Sequence, residues 1–543
     1  MAGDNVLQAS ARGAQYLILL QIGSRALTFI FNQILLRFLS PSILAVSTQL
    51  ELFSISIFAF SRDSLRVALQ RAGGADGNNG SRSSSAITTR KAQVAINISY
   101  LSLPLGTFFA LLFAYIYYAH ASSSTSGILS IPYFATSLLA YGLAALLELA
   151  TEPAFTLLQQ RLIYSVRASA EGLGALTRCL VTCGTAFWGF RQGNDLGVLP
   201  FAMGQMAWAT TLAAIYLVRT VPIARKENVS LIIQPIHDPS NNKYLFGIFS
   251  QPLLTTTINL YIQSLVKYLL TQGDTLLISV LATLETQGAY ALASNYGSLI
   301  ARLIFQPLEE TSRSVFANLL ASPFSPTSTP QETETKPKTE TKTNPKPNNH
   351  NPTPTQLSPY LLTLLHLTTL LTLLACSLGP PLAPLLLTTL LSSRWTHTSA
   401  PRVLATYTLY IPILFLNGLS ESFVAVAASN AQIRAQSAFM TAAFFVYAAA
   451  AGLLVGVFDL GGVGLVAANA LNLVGRIAWC ARFVLGYLGE DAVEVEWRDA
   501  LPSAGSVSTA LVSGLVLRGL GDGGGLGELV KGGFVAGLAG LAM

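Results

Sequence analysis

The sequence predicts an all-α polytopic membrane protein: two pseudo-symmetric six-helix bundles followed by about two C-terminal helices, twelve to fourteen spans in all. Three observations predict it. Of 543 residues, 51% are hydrophobic and only 11% charged, against roughly 25% charged in soluble chains. The apolar residues fall into runs of about 20, the length that crosses a bilayer as helix. Two stretches about 250 residues apart also read alike: FAFSRDSLRVAL, with Arg62, Asp63 and Arg66, and LIFQPLEETSRSVF, with Glu309, Glu310 and Arg313. Aligned on Asp63 and Glu310, each has an acid, a Ser or Thr, any residue, then Arg. Membrane-embedded charge at matching places in two halves is a transporter's pattern, and it points to moving a polar group rather than to chemistry on it.

Candidate spans run near 14–38, 43–69, 92–119, 133–157, 165–190 and 196–218. They resume near 247–283, 287–317, 357–378, 380–392, 402–428, 435–458, 462–487 and 503–543. The polar stretch 221–243 separates an N-terminal bundle, 1–220, from a C-terminal one, 244–490, with further helices in 491–543. Residues 321–356 are Pro-, Thr- and Lys-rich with almost nothing apolar, and read as a disordered loop. The first apolar run continues past any plausible cleavage point and contains Arg25, so it reads as a span rather than a signal peptide.

Positive charge marks the cytosolic side. Arg12, Arg71, Arg82, Arg90, Lys91, Arg161, Arg167, Arg219, Arg225, Lys226, Lys243, the lysines of 336–346, Arg394 and Arg402 fall in alternate loops. The N-terminus and the even-numbered loops are therefore expected in the cytosol. The net charge of +6 belongs to these loops and does not indicate nucleic acid. The sequons at Asn79 and Asn228 would face the cytosol and Asn97 would lie in or beside a span, so none should be glycosylated.

Charges inside spans cost roughly 2.5–3.5 kcal/mol each at a helix centre and need a partner or a wet cavity. Gln21, Arg25, Thr28 and Asn32 form one stripe on the first helix; Asn295, Ser298, Arg302, Gln306 and Glu309 form another on the eighth. Arg62 and Arg66 are i, i+4 neighbours, as are Asn417 and Glu421. Lys267 and Asp274 lie two turns apart. Ligand contact and structural pairing both remain open for these residues. Arg62 has Glu51 or Asp63 as expected partners, Lys267 has Asp274 or Glu285, and Arg302 has Glu309. Glu148 and Glu152, before Pro153, read as helix-to-helix pairing. Breaks at Pro104, Pro307 and Pro381 would free backbone groups at membrane depth.

Catalytic signatures are absent from the sequence: no phosphate-binding loop, nucleophile elbow or zinc-protease motif. The four cysteines, Cys179, Cys183, Cys376 and Cys480, lack the His or acidic company of a metal site. No enzyme activity, cofactor or metal is expected. RFLSPS, the first loop expected on the non-cytosolic side, has no acid to serve a membrane glycosyltransferase.

The runs LLQIGSRALTFIFNQILLRFLSP, AFSRDSLRVAL and above all NYGSLIARLIFQPLEET resemble the Rft family of endoplasmic-reticulum proteins assigned to translocation of dolichol-linked oligosaccharide. LELATEPAF and LNGLSESFVAVAAS are similar to segments of the same family. The resemblance covers helices one to thirteen. It implies the flippase and multidrug-exporter fold, two six-helix bundles around a central cavity, often with two added helices. It also implies a cargo, diphosphodolichol bearing two N-acetylglucosamines and five mannoses, moved from the cytosolic to the luminal leaflet for N-glycosylation, with other proteins of that pathway as possible partners. On that reading Arg25, Arg62, Arg66, Lys267 and Arg302 would neutralise the diphosphate. Asn32, Asn295, Tyr296 and Asn417 would meet sugar hydroxyls, while Asp63, Asp274, Glu309, Glu310, Arg313 and Glu421 serve gating or charge pairing. The family pattern has a further Arg beside the second arginine, where this chain has Val67. Two alternatives stand beside it: a non-flipping binder of the lipid-linked oligosaccharide, and a cation-coupled exporter of amphiphiles using Glu421 or Asp274.

Overall fold

The computed structural model describes residues 31–37 (except 32), 39–74, 85–122, 127–161, 163–236, 244–300 (except 246), 305–321, 354–391, 395, 397–489 and 500–519, with 531, 532 and 535. Arg25, Asn32, Arg302 and most of the loop 321–356 lie outside the described residues. The described chain is helical apart from a two-stranded hairpin. Eight of its helices are long and apolar enough to cross a membrane, which makes this a multi-pass helical membrane protein.

By its internal packing the chain divides into two compact units. One comprises residues 1–291 with 390–400, the other 292–389 with 401–543. In the first unit, α1 (Pro41–Ser61) starts where the Ser40 hydroxyl accepts from the Ile43 amide and Pro41 fills the first turn. Val46, Leu50, Phe53 and Ile57 repeat at helical spacing and are buried. They pack against α4 (Ser102–Ser122) and α5 (Phe134–Leu149), and the cluster includes Val198 and Ala202 at the head of α8 (Leu199–Lys226). The span expected over 43–69 is interrupted at Arg62, whose backbone (φ −124°, ψ −26°) leaves the helix, and the chain restarts as α2 (Asp63–Gly74). The span expected over 133–157 is interrupted likewise: Pro153 sits in the first turn of α6 (Glu152–Gln160), which follows α5 after a two-residue turn.

The helix α7 (Tyr164–Gln192) lies along α8. Gly204 of α8 brings the two backbones together, because a Cβ there would land on the Thr182 hydroxyl and 3.0 Å from the Arg178 carbonyl. Overpacking of such a seam costs about 1–3 kcal/mol. Gly204→Ala should therefore lower the thermal midpoint of the purified protein, measured in detergent against the parent.

The stretch after α8, read as a linker at 221–243, is instead pinned over its described part. Lys226 ends α8, and residues 227–236 run along α3 (Ser85–Ser99). Asn97, wholly buried, donates to the Gln234 and Ile248 carbonyls at 2.7 and 3.1 Å and accepts from the Gln234 amide at 3.2 Å. Gln93 and Tyr100 hold Ser230, Ile232 and Leu231 in the same way. The Asn97 amide is thus engaged with the Gln234 and Ile248 backbone and with the Gln93 side chain. The hairpin Tyr244–Leu245 with Phe249–Ser250 then leads into α9 (Gln251–Leu281), which packs on α1 and α2. This long helix, placed by the sequence at the head of the second bundle, belongs by packing to the first unit.

The helix α10 (Leu284–Ile300) begins in the first unit and ends in the second. There α11 (Gln306–Ala321), α12 (Pro354–Leu390), α13 (Ala400–Ala427) and α15 (Gly461–Gly489) surround Phe316, Leu364, Leu419, Phe423 and Leu488. The helix α14 (Asn430–Ala451), with a full capping box at Ser429 and Gln432, pairs with α15, and α16 (Ala504–Gly519) follows.

One expectation is corrected here: the spans 357–378 and 380–392 are the single 37-residue α12, which carries Pro380, Pro381 and Pro384 without ending. A proline removes one intrahelical bond, but a membrane helix tolerates it when neighbours satisfy the freed groups. Pro104 and Pro307 do mark interruptions: the span expected over 92–119 turns at residues 100–101 between α3 and α4, and that over 287–317 is described as the two helices α10 and α11. Each proline lies in the first turn of the second helix, where the missing N–H is harmless.

Candidate functional site

Two of the helix breaks in the first unit face each other. Arg62 and Arg66 flank the start of α2; Glu148 and Glu152 flank the turn between α5 and α6. Arg62 donates to Glu148 at 2.7 Å and to Glu152 at 3.3 Å. Arg66 grips Glu152 with two bonds, Nε to Oε2 at 3.0 Å and Nη2 to Oε1 at 2.5 Å. Trp208 Nε1 donates to the remaining Glu148 oxygen at 3.1 Å. Both guanidinium groups lie over aromatic rings, Arg62 on Phe58 and Arg66 on Phe155, with Cζ 3.8 and 3.9 Å from the centroids. The Glu152 side chain is 3% exposed and that of Arg62 13%. Two cations thus meet two anions in a neutral, largely dry cluster.

This pairing corrects the expected partners. Arg62 bonds neither Glu51 nor Asp63: Glu51 faces Arg178 at 3.3 Å, and Asp63 is exposed in the combined field of Arg62, Arg66 and Lys267. Glu148 and Glu152 do pair helix to helix. Asp274 accepts from the Tyr290 hydroxyl at 2.9 Å and from the Thr275 amide at 2.8 Å, not from Lys267. Lys267 is exposed on α9, with no ion pair among the described residues.

The second unit holds a counterpart. Glu421 Oε1 on α13 accepts from Arg476 Nε at 2.9 Å and Nη2 at 2.5 Å, across from α15. Asn417, one turn before Glu421, is buried with its Oδ1 unpartnered, and so is the Oδ1 of Asn472, one turn before Arg476. Glu309 of α11 lies against Gly418, where any Cβ would collide with its carboxylate. Glu310 is exposed and accepts from Gln306 at 3.2 Å; Arg313 and Asn295 are exposed.

The repeat therefore extends further than the motif that announced it. Glu148 and Glu152 stand four apart, as do Asn417 and Glu421, and Arg62–Asp63–Arg66 answers Glu309–Glu310–Arg313. Charge is inverted at one position of the copies: Arg62 faces glutamates in the first unit, while its counterpart Glu309 faces the Asn417–Gly418 turn in the second. Trp208, Arg476 and Asn472 escaped the sequence reading. Arg476 alone had a visible signal, a lone cation within the apolar run LNLVGRIAWC.

The Rft protein family model matches residues 9–534. The chain belongs to the Rft family. The Man(5)GlcNAc(2)-PP-dolichol translocation protein RFT1 of Yarrowia lipolytica is 31% identical over 537 residues, covering 94% of this chain and 75% of that protein. Its namesake in Saccharomyces cerevisiae is 30% identical, covering 89% and 83%. Among solved structures, the lipid II flippase MurJ in an inward closed conformation matches at a TM-score of 0.59 with 13% identity, covering 97% of both chains. An inward-facing multidrug-resistance MATE transporter matches at 0.54 with 13% identity, covering 86% and 96%. At those identities the likeness establishes the fold alone, and this Rft protein shares the fold of polytopic helical transporters.

Proposed function

We propose that this Rft protein is an intramembrane flippase that moves Man(5)GlcNAc(2)-PP-dolichol across the endoplasmic-reticulum membrane, without catalysis of its own. One observation carries the reading: relatives about 30% identical over nine-tenths of the chain are named as translocation proteins for that lipid. The pairing of Arg62 and Arg66 narrows the binding proposal. Their charge is already balanced by Glu148 and Glu152, so a diphosphate would have to displace two carboxylates. Arg25, Lys267 and Arg302 remain the proposed cations for the diphosphate, and Asn32, Asn295 and Asn417 the proposed sugar contacts. Of these, Lys267 is a described, exposed ammonium.

The proposed orientation counts crossings from a cytosolic N-terminus. With α12 as one span and the N-terminus in the cytosol, residues 75–84, 227–250, 322–353 and 490–503 are cytosolic, and 282–283, 391–399 and 458–460 are luminal. Arg394 and Arg402 then move to the luminal side, while the strongly basic loops stay cytosolic.

The test uses full-length protein in vesicles containing the diphosphodolichol oligosaccharide, with a glycosidase added outside to report accessible glycan. Rapid loss of protection supports flipping. Binding without exchange would leave a non-flipping carrier, and exchange that requires a proton or sodium gradient would support the cation-coupled reading. Lys267→Ala should slow exchange about tenfold, the effect of losing one charge-assisted contact of roughly 1.5 kcal/mol, with the thermal midpoint unchanged.

A further inference from the structure

Three segments remote in sequence are brought together in the first unit. The first is the junction between the helical residues 33–37 and α1, the second the head of α10, and the third residues 390–400, which join two helices of the second unit yet pack in the first. Trp395 is completely buried and donates its indole N–H to the Leu36 carbonyl at 3.1 Å. Leu391 and Ala400, on either side, are buried as well. Gln49 of α1 donates its side-chain N–H to Gln287 Oε1 of α10, and Gln49 Oε1 accepts from the Tyr117 hydroxyl of α4. The Gln287 amide also donates to the Ala282 carbonyl at 2.7 Å, closing the short loop onto the network. Gly288 lies directly on the Pro41 backbone, where a Cβ has no room. Crossing counts put all three segments on one side of the membrane, the luminal side in the orientation proposed above.

The chemistry of the contact is unusual for a permanent seam. Gln49 and Gln287 are 7% and 6% exposed, uncharged, and bonded to one another and to a phenol. Buried amides are costly only when unpaired. When the seam opens, water replaces each of these hydrogen bonds, so the polar part of the contact can be made and broken at little net cost. An apolar interface of the same area would resist wetting, and an ion pair would carry a large desolvation cost at every closure.

We propose that Gln49, Gln287, Tyr117 and Trp395 form a luminal latch that must release for the lipid headgroup to leave on that side. The proposal rests on the flippase reading for its cargo, and the alternative is that the head of α10 and residues 390–400 ride permanently with the first unit.

The test replaces the four native cysteines with serine and introduces Gln49→Cys with Gln287→Cys into the full-length protein. In vesicles, the oxidised cross-linked form should exchange lipid at least tenfold more slowly than the same sample after reduction. Equal rates before and after reduction would overturn the latch. A reduced form that binds lipid but never exchanges it would defeat the flippase reading instead. A second measurement decides the latch in that event. Gln49→Cys alone should react slowly with a membrane-impermeant thiol reagent, and at least fivefold faster when Trp395→Ala is added at unchanged thermal midpoint. Equal reactivity with and without Trp395 would overturn the proposal.

Discussion

Glu152→Ala should be the most damaging single substitution in the first unit, destabilising the protein by about 3–5 kcal/mol. Glu152 is the shared acceptor of the cluster, bonded three times by two arginines and itself nearly sealed from solvent. Its loss leaves Arg66 with no acceptor and Arg62 with Glu148 alone, in a site whose aromatic walls offer no substitute hydrogen bond. A folding free energy of roughly 5–15 kcal/mol does not absorb such a loss comfortably. Steady-state abundance should fall sharply, with a lowered thermal midpoint in the protein that remains. The cluster origin of the effect is separable from a general packing defect. Glu152→Leu combined with Arg66→Leu removes one anion and one cation together, and replacing a buried pair with apolar groups is often neutral or stabilising. The double variant should therefore be markedly more stable than Glu152→Leu alone. If the two variants melt together, the ion pair is not what holds α2 to α6. The same logic bears on function: a diphosphate bound by Arg62 and Arg66 would have to supply everything Glu148 and Glu152 now supply.

The helices and their transporter class were legible because they depend on local properties. Apolar runs of about 20 residues, charge between them and a repeated acid–x–x–Arg phrase are all written within a few tens of residues. Partner choice is not local. Arg62 finds its acceptors 86 and 90 positions downstream, because two helix interruptions, one at Arg62 and one before Pro153, come to the same depth. Each acid near Arg62 in sequence was a reasonable candidate, yet Asp63 stays exposed and Glu51 serves Arg178. Proline misled in the opposite direction. Pro380 and Pro381 suggested a boundary between two spans, but the apolar run around them continues as one helix. A purely local reading of helix breakers cannot weigh that continuation. The pinned segment along α3 was hidden for a related reason: the stretch 221–243 reads as linker by its flanking charge, and the order of residues 227–236 comes from Gln93 and Asn97 on another helix.

Arg476→Glu is the corresponding test of the second unit. Arg476 is the sole cation bonded to Glu421 among the described residues, and Glu309 lies nearby on α11 within the electrostatic reach of Glu421. Reversing the charge would gather three carboxylates where one ion pair now stands. The side chains of the pair are 21% and 26% exposed, so solvent screens them only in part. A loss of about 3 kcal/mol or more is expected, seen as reduced yield and a lowered thermal midpoint. Exchanging the pair, Arg476→Glu with Glu421→Arg, restores one cation between Glu309 and position 476 and should recover most of that loss. Glu309→Gln in the Arg476→Glu background should recover a smaller share, because it removes one like charge without supplying an opposite one. That ranking follows from the inversion of charge between the two copies. In the first unit the position answering Glu309 is Arg62, and two carboxylates close around it. In the second unit the carboxylate comes from the first helix of the pair, the facing turn offers Asn417 and Gly418, and the only bonded cation arrives from α15. Should Glu309→Gln rescue as well as the full exchange, Glu309 would be the dominant partner of position 476, and the correspondence between the two units would have to be redrawn around it.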